Sequence, residues 1–241
     1  MKKLKKYWKL ALGALLVSIA SVVFLQDFKS NAGASLIDGS EYHHELTIIL
    51  DAAHGSDVAG KASPDGTHRE YAWSRFWINQ LGKHLTDIGF TVVYTAPEET
   101  EPGLTERVRR MNAVSGPAIV FSLHNNAAGC GEWKSARGWS LWTTKGVTRS
   151  DQCAEIIYIN MLAFIPELPF RYDISDGDHD YEANFTVLMS KHPSVLLEYM
   201  FQDNKLDLEL IENPALSLTI LYILDVSFLQ IERYLTTKKA A

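Results

Sequence analysis

The sequence predicts a single α/β domain, built on a twisted and mostly parallel β-sheet with helices on both faces. Three observations predict it. From Leu46 onward, short apolar runs alternate with longer segments whose apolar residues recur at helical spacing. The short runs are apolar throughout, as strands covered on both faces must be. The 241-residue chain is 46% apolar and 22% charged, enough to bury one sizeable core, and shows no internal repeat or low-complexity tract.

Each element can be justified in order. Thr47-Ile48-Ile49-Leu50 is a buried strand ending at Asp51. A loop with Gly55, Gly60, Pro64 and Gly66 follows it. Trp73, Phe76, Trp77, Leu81, Leu85 and Ile88 then mark a helix, with Gly89 as its stop. Phe90–Tyr94 is a strand, Leu104–Val114 a helix, and Ala118–Leu123 a strand that delivers His124. Gly138–Thr143 reads as a strand, Asp151–Phe164 as a helix, and Ser194–Tyr199 as a strand introduced by Pro193. Asn213-Pro214 supplies an N-cap with proline in the first turn, and the segment stays apolar to Leu235. Its length suits a membrane span, but Asp225 in its middle argues for a core helix.

The N-terminus reads as a targeting segment. Five lysines precede residue 10, and Leu10 to Leu25 runs uncharged for sixteen residues. Residues 1–34 are therefore a signal peptide, with an A-x-A-like site at Ala32-Gly33-Ala34, or a retained membrane anchor. Either places the body outside the cytoplasm, in the periplasm or cell envelope, because the positive flank stays inside. Residues 35–45 are a polar tether, and residues 46–236 form the folded domain. Beyond residue 34 there remain 17 basic and 28 acidic residues. So acidic a body offers no footprint for a phosphate backbone, which excludes nucleic acid as a partner. Membrane contact is expected only through the N-terminal segment, and the chain is read as a monomer. Cys130 and Cys153 can form one disulfide or remain two thiols; with no C-x-x-C pair there is no zinc knuckle.

In open α/β sheets the functional crevice lies beyond the carboxyl ends of the strands. The first strand exits into His54, the third into His124, and the last delivers Glu198. Glu70 stands at the start of the helix after the first exit. Two histidines and two carboxylates converging on one edge suit a catalytic zinc with three protein ligands and a position for water. His54, Glu70 and His124 are the expected ligands of one Zn2+ per chain, and Glu198 is the expected catalytic carboxylate. Each residue also has an ordinary reading: a hydrogen-bonded histidine, a charge favoured by a helix N-terminus for Glu70, a buried ion pair for Glu198. Glu198 is the hardest to dismiss, because it lies between Val195-Leu196-Leu197 and Tyr199-Met200-Phe201, where an unpaired carboxylate is expensive. His68 and His179 are reserve ligands. Asp51 either orients a ligand histidine or satisfies local backbone groups, and Asn125 and Asn126 either bind substrate or form a turn.

These residues resemble the zinc-dependent N-acetylmuramoyl-L-alanine amidases of the Amidase_3 family. The likeness rests on Leu50-Asp51-Ala52-Ala53-His54-Gly55-Ser56-Asp57, on Glu70, on Ser122-Leu123-His124-Asn125-Asn126, and on Leu196 to Asn204 around Glu198. Leu104, Arg107 and Asn112 match a further helical motif, and the likeness spans about Leu46 to Leu235. It implies a peptidoglycan hydrolase that uses zinc-activated water to cut the amide between the muramoyl lactyl group and L-alanine of the stem peptide. Peptidoglycan or a muropeptide is then the partner. Departures fall at Ala53, Ser56, Tyr71, Thr95-Ala96 and Met200, and none removes a ligand. The stretch between His124 and Glu198 is too short for the autoinhibitory helical insertion of some division amidases. Two alternatives remain from the residues: a zinc peptidase acting on the stem peptide, and a non-catalytic wall-binding module of the same fold. The sixteen-residue spacing of His54 and Glu70 disfavours the first, and retention of all four groups disfavours the second.

Overall fold

The computed structural model describes residues 43–237. The segment read as signal peptide or anchor, and most of the tether, lie outside the described residues. Six strands form one sheet: β1 (Thr47–Ala52), β2 (Thr91–Tyr94), β3 (Ala118–Asn126), β4 (Ser140–Thr143), β5 (Tyr181–Glu182) and β6 (Ser194–Phe201), in the spatial order β2-β1-β3-β6-β4-β5. All neighbours are parallel except β4, which runs antiparallel to β6. The α/β class and the mostly parallel sheet are as expected from the sequence.

Helices α1 (Glu70–Asp87), α3 (Arg149–Phe164) and α5 (Pro214–Thr236) cover one face. Their apolar stripes close over Ile48, Leu50, Phe121 and Val195, and Phe228 of α5 meets Phe121 edge-on at 5.7 Å. Helix α2 (Leu104–Ala113) and a short 3-10 turn (Thr186–Leu188) cover the other face, on Ile49, Val120 and Leu196. Because successive strand residues point to opposite faces, Ile48 and Ile49 serve different cores. Both are fully buried.

α5 is the core helix that Asp225 implied: Ile220, Leu224, Phe228 and Ile231 are buried on the sheet side. Asn213 caps it, accepting from the amides of Ala215 and Leu216. Three elements escaped sequence reading: β5, the 3-10 turn and α4 (Lys205–Ile211). His44, assigned from sequence to the tether, is instead packed into the fold, stacked on Phe90 and bonded to Glu232 at 2.6 Å. The two cysteines are unbonded; Cys130 is exposed and Cys153 is buried, which pushes its thiol up to about 12.

Candidate metal centre

The carboxyl ends of β1, β3 and β6 open onto a cleft of about 630 Å3 lined by His54, Glu70, His124 and Glu198. One side chain ties two of its walls to α1. Ser74 accepts from the Ala53 amide at 2.9 Å and donates to the Leu123 carbonyl at 2.6 Å. His54 follows β1 in the left-handed region, with φ of 51°. Such a backbone costs about 1–3 kcal/mol and persists only where its surroundings enforce it. Here Arg75 and Arg107 both donate to the His54 carbonyl, at 3.1 and 3.2 Å.

Glu70 is the first residue of α1 and only 2% exposed. Its Oε1 lies 3.4 Å from His54 Nε2 and 3.1 Å from His124 Nδ1. The amide of Asn125 donates to that same oxygen at 3.1 Å, and Gln202 donates to Oε2 at 3.0 Å. One ligand atom from each of His54, Glu70 and His124 lies within 4.8 Å of the others. Two ligands each about 2.0–2.1 Å from a tetrahedral zinc stand about 3.3 Å apart. The separations on either side of Glu70 match that value, so the two imidazoles and the carboxylate are placed to hold a metal ion of that size. Burial works against the Glu70 charge, but His124 and His54 outweigh it and hold the carboxyl well below its usual range. Burial also opposes protonation of His124, and there too the Glu70 contact prevails and raises the imidazole.

Glu198 pairs with His124 across β3 and β6, at a point where the register slips before Asn126 meets Phe201. Its Oε2 is buried and takes no hydrogen bond. Desolvation pushes this carboxyl up to about 7, Glu70 adding to the effect and His124 opposing it. The next strand residue but one, Met200, holds φ of 61°. Met200 stands where the resembling motif has glycine, and its side chain is fully buried.

The four sequence-predicted residues are thus brought together, whereas the reserve ligands are not. His68 Nε2 bonds Asn125 Oδ1 at 2.9 Å, and His179 bonds Glu155 at 2.9 Å beneath Tyr158. Asn125 is a buried brace, its amide nitrogen donating to the Tyr199 carbonyl at 2.7 Å. Neither asparagine forms the expected turn: both lie in β3, and at its last residue Asn126 Oδ1 accepts from the Ala127 amide at 2.9 Å. Asp51 contacts no ligand histidine; it accepts from Thr95, from Ser122 at 2.6 Å and from Arg107 at 2.8 Å. The sequence assigned no role to Gln202, Ser74 or Arg75. A lone glutamine or serine carries no spacing signal, so only the fold reveals their aim.

Solved structures share the fold. An N-acetylmuramoyl-L-alanine amidase from Clostridium difficile 630 superposes with a TM-score of 0.65 at 23% identity, over 79% of this chain and 98% of that one. The amidase AmiC2 of Nostoc punctiforme gives 0.66 at 18% identity, over 78% and 98%. Ami1 from Mycobacterium smegmatis gives 0.67 at 17%, over 79% and 98%. No curated protein sequence matches the chain. The model of the Amidase_3 family, described as N-acetylmuramoyl-L-alanine amidase, matches residues 48–221, well over half the chain, and this chain belongs to that family.

Proposed function

We propose that this peptidoglycan amidase is zinc-dependent, with His54, Glu70 and His124 holding the metal and Glu198 moving the proton. The reaction is hydrolysis of the amide between the muramoyl lactyl group and L-alanine of the stem peptide. The observation that carries the reading is the spacing around Glu70 Oε1, 3.4 Å to one imidazole and 3.1 Å to the other. A bound zinc would supply an acidified water and a positive charge for the oxyanion.

The chain's own residues supply the rest. Glu70 is fixed at both oxygens, so the ligand geometry is set before any metal arrives. Glu198 borders the same cleft with one buried oxygen uncommitted, which suits it to accept a proton from water and return it to the departing L-alanine nitrogen. The basic, apolar N-terminal segment supports an extracytoplasmic location, where the substrate is.

The test is mass spectrometry of peptidoglycan digested by the purified chain with and without a chelator. Free stem peptides with an L-alanine amino terminus are expected only in the metal-replete digest. Cleavage within the stem instead would support a peptidase, and no release at all would support a wall-binding module.

A further inference from the structure

A second group of carboxylates lies at the β4–β5 edge of the sheet, outside the cleft. Asp176, Asp178 and Asp180 alternate along the segment that leads into β5. Asp180 is 3% exposed, and its Oδ2 accepts from the Thr143 hydroxyl at 2.6 Å. Its Oδ1 is buried without a partner, and so is Oδ1 of Asp178. The two carboxyl groups stand within hydrogen-bonding reach of each other. Asp151, whose Oδ1 is 3.3 Å from the same threonine hydroxyl, and Asp176 add further negative charge. Among the described residues no lysine or arginine forms an ion pair with Asp178 or Asp180. The neighbouring His179 is already bonded to Glu155.

A buried carboxylate facing a half-buried one needs either a shared proton or a cation. Alternate aspartates are also how a calcium loop presents its first ligands, and calcium accepts an all-oxygen shell completed by hydroxyl, carbonyl and water. We propose that Asp178 and Asp180, beside Thr143, form a site for a hard divalent cation of the calcium type. Bound there, the cation would fasten the 173–182 segment to the end of β4. That segment runs directly into Asn184–Val187, which forms one wall of the catalytic cleft. Without a cation, burial and the mutual charge push Asp180 up to about 8, so the pair then holds a proton.

The experiment is calorimetric titration of Ca2+ into the zinc-loaded full chain, paired with thermal melts. One Ca2+ per chain is expected, at a Kd of about 10⁻⁴–10⁻³ M, with a rise in Tm of several degrees. Asp180→Asn and the less buried Asp178→Asn should each abolish both responses while zinc content stays the same. Asp180→Asn should melt close to calcium-free wild type, since the amide replaces a carboxyl that already holds the pair's proton. The proposal is overturned if Ca2+ leaves the wild-type Tm unchanged, or if it raises wild type and both variants equally.

Discussion

Gln202 donates its side-chain amide to Oε2 of Glu70 at 3.0 Å, which leaves Oε1 turned toward His54 and His124. Gln202 is 2% exposed and has no role in the sheet's apolar cores. Its contact does for the carboxylate what a hydrogen bond to the second nitrogen does for a histidine ligand, fixing which atom would face a bound metal. Gln202→Ala should therefore weaken zinc binding by about 10- to 100-fold. Competition against a chromophoric chelator would measure it. An unchanged zinc affinity would reduce Gln202 to packing.

Glu198 should separate chemistry from metal binding. Glu198→Gln keeps the shape and removes the proposed base, so kcat should fall by about 10²- to 10⁴-fold. Zinc content should remain that of wild type, whereas His54→Ala and His124→Ala should lose it. Full activity in a zinc-loaded Glu198→Gln enzyme would end the assignment.

Asp51 and Arg107 form a buried ion pair at 2.8 Å, with both side chains essentially inaccessible. Arg107 also binds Glu101 at 2.7 Å and donates to the Ala52 and His54 carbonyls. Arg107→Met would strand the Asp51 charge, and breaking one partner of a buried pair costs about 3–5 kcal/mol. Urea unfolding should show that loss, and the zinc-loaded variant should bind metal more weakly because His54 loses a tether. Adding Asp51→Asn should recover part of the stability. A single-variant loss below about 1 kcal/mol would mean that the pair is not what secures this strand end.

What could be read from the sequence follows from periodicity. The apolar runs 48–50, 118–121 and 195–197 marked β1, β3 and β6, and so the neighbourhood of His54, His124 and Glu198. β3 and β6 run past the expected ends, to Asn126 and Phe201, because His124 and Glu198 still pair in the ladder. Glu70 was legible from its place at the head of a strongly patterned helix. The antiparallel direction of β4 was not legible, since four residues carry no sign of which way they run. Residues 166–192 have no period at all; their structure depends on single ties such as Thr143 to Asp180. Asp51 shows the limit on the site itself. Its position allowed either a contact with a ligand histidine or bonds to local backbone groups, but its partners are the side chains of Thr95, Ser122 and Arg107, and Arg107 reaches the His54 carbonyl. α4 is too short to show a stripe, although Asn204 caps it.

His84 and Asp225 link α1 to α5 at 2.8 Å and give the fold a pH dependence away from the cleft. The Asp225 carboxylate draws the His84 pKa above its ordinary 6.5; burial and Lys83 oppose this, and Asp87 assists. A raised histidine pKa means that the folded state holds the proton more tightly. The stability it contributes is therefore complete below 6.5 and is lost as pH rises through the folded value. Burial raises Asp225 in turn, so its ionisation also erodes stability as pH climbs above the ordinary 3.8. The His84 side chain is 53% exposed, and solvent screening limits its part to at most about 1 kcal/mol. Melts at about pH 6 and about pH 8 should show a larger fall in Tm for wild type than for His84→Gln. The comparison cancels the site histidines, which both proteins share. Equal falls in the two would show that the pair does not govern this pH response.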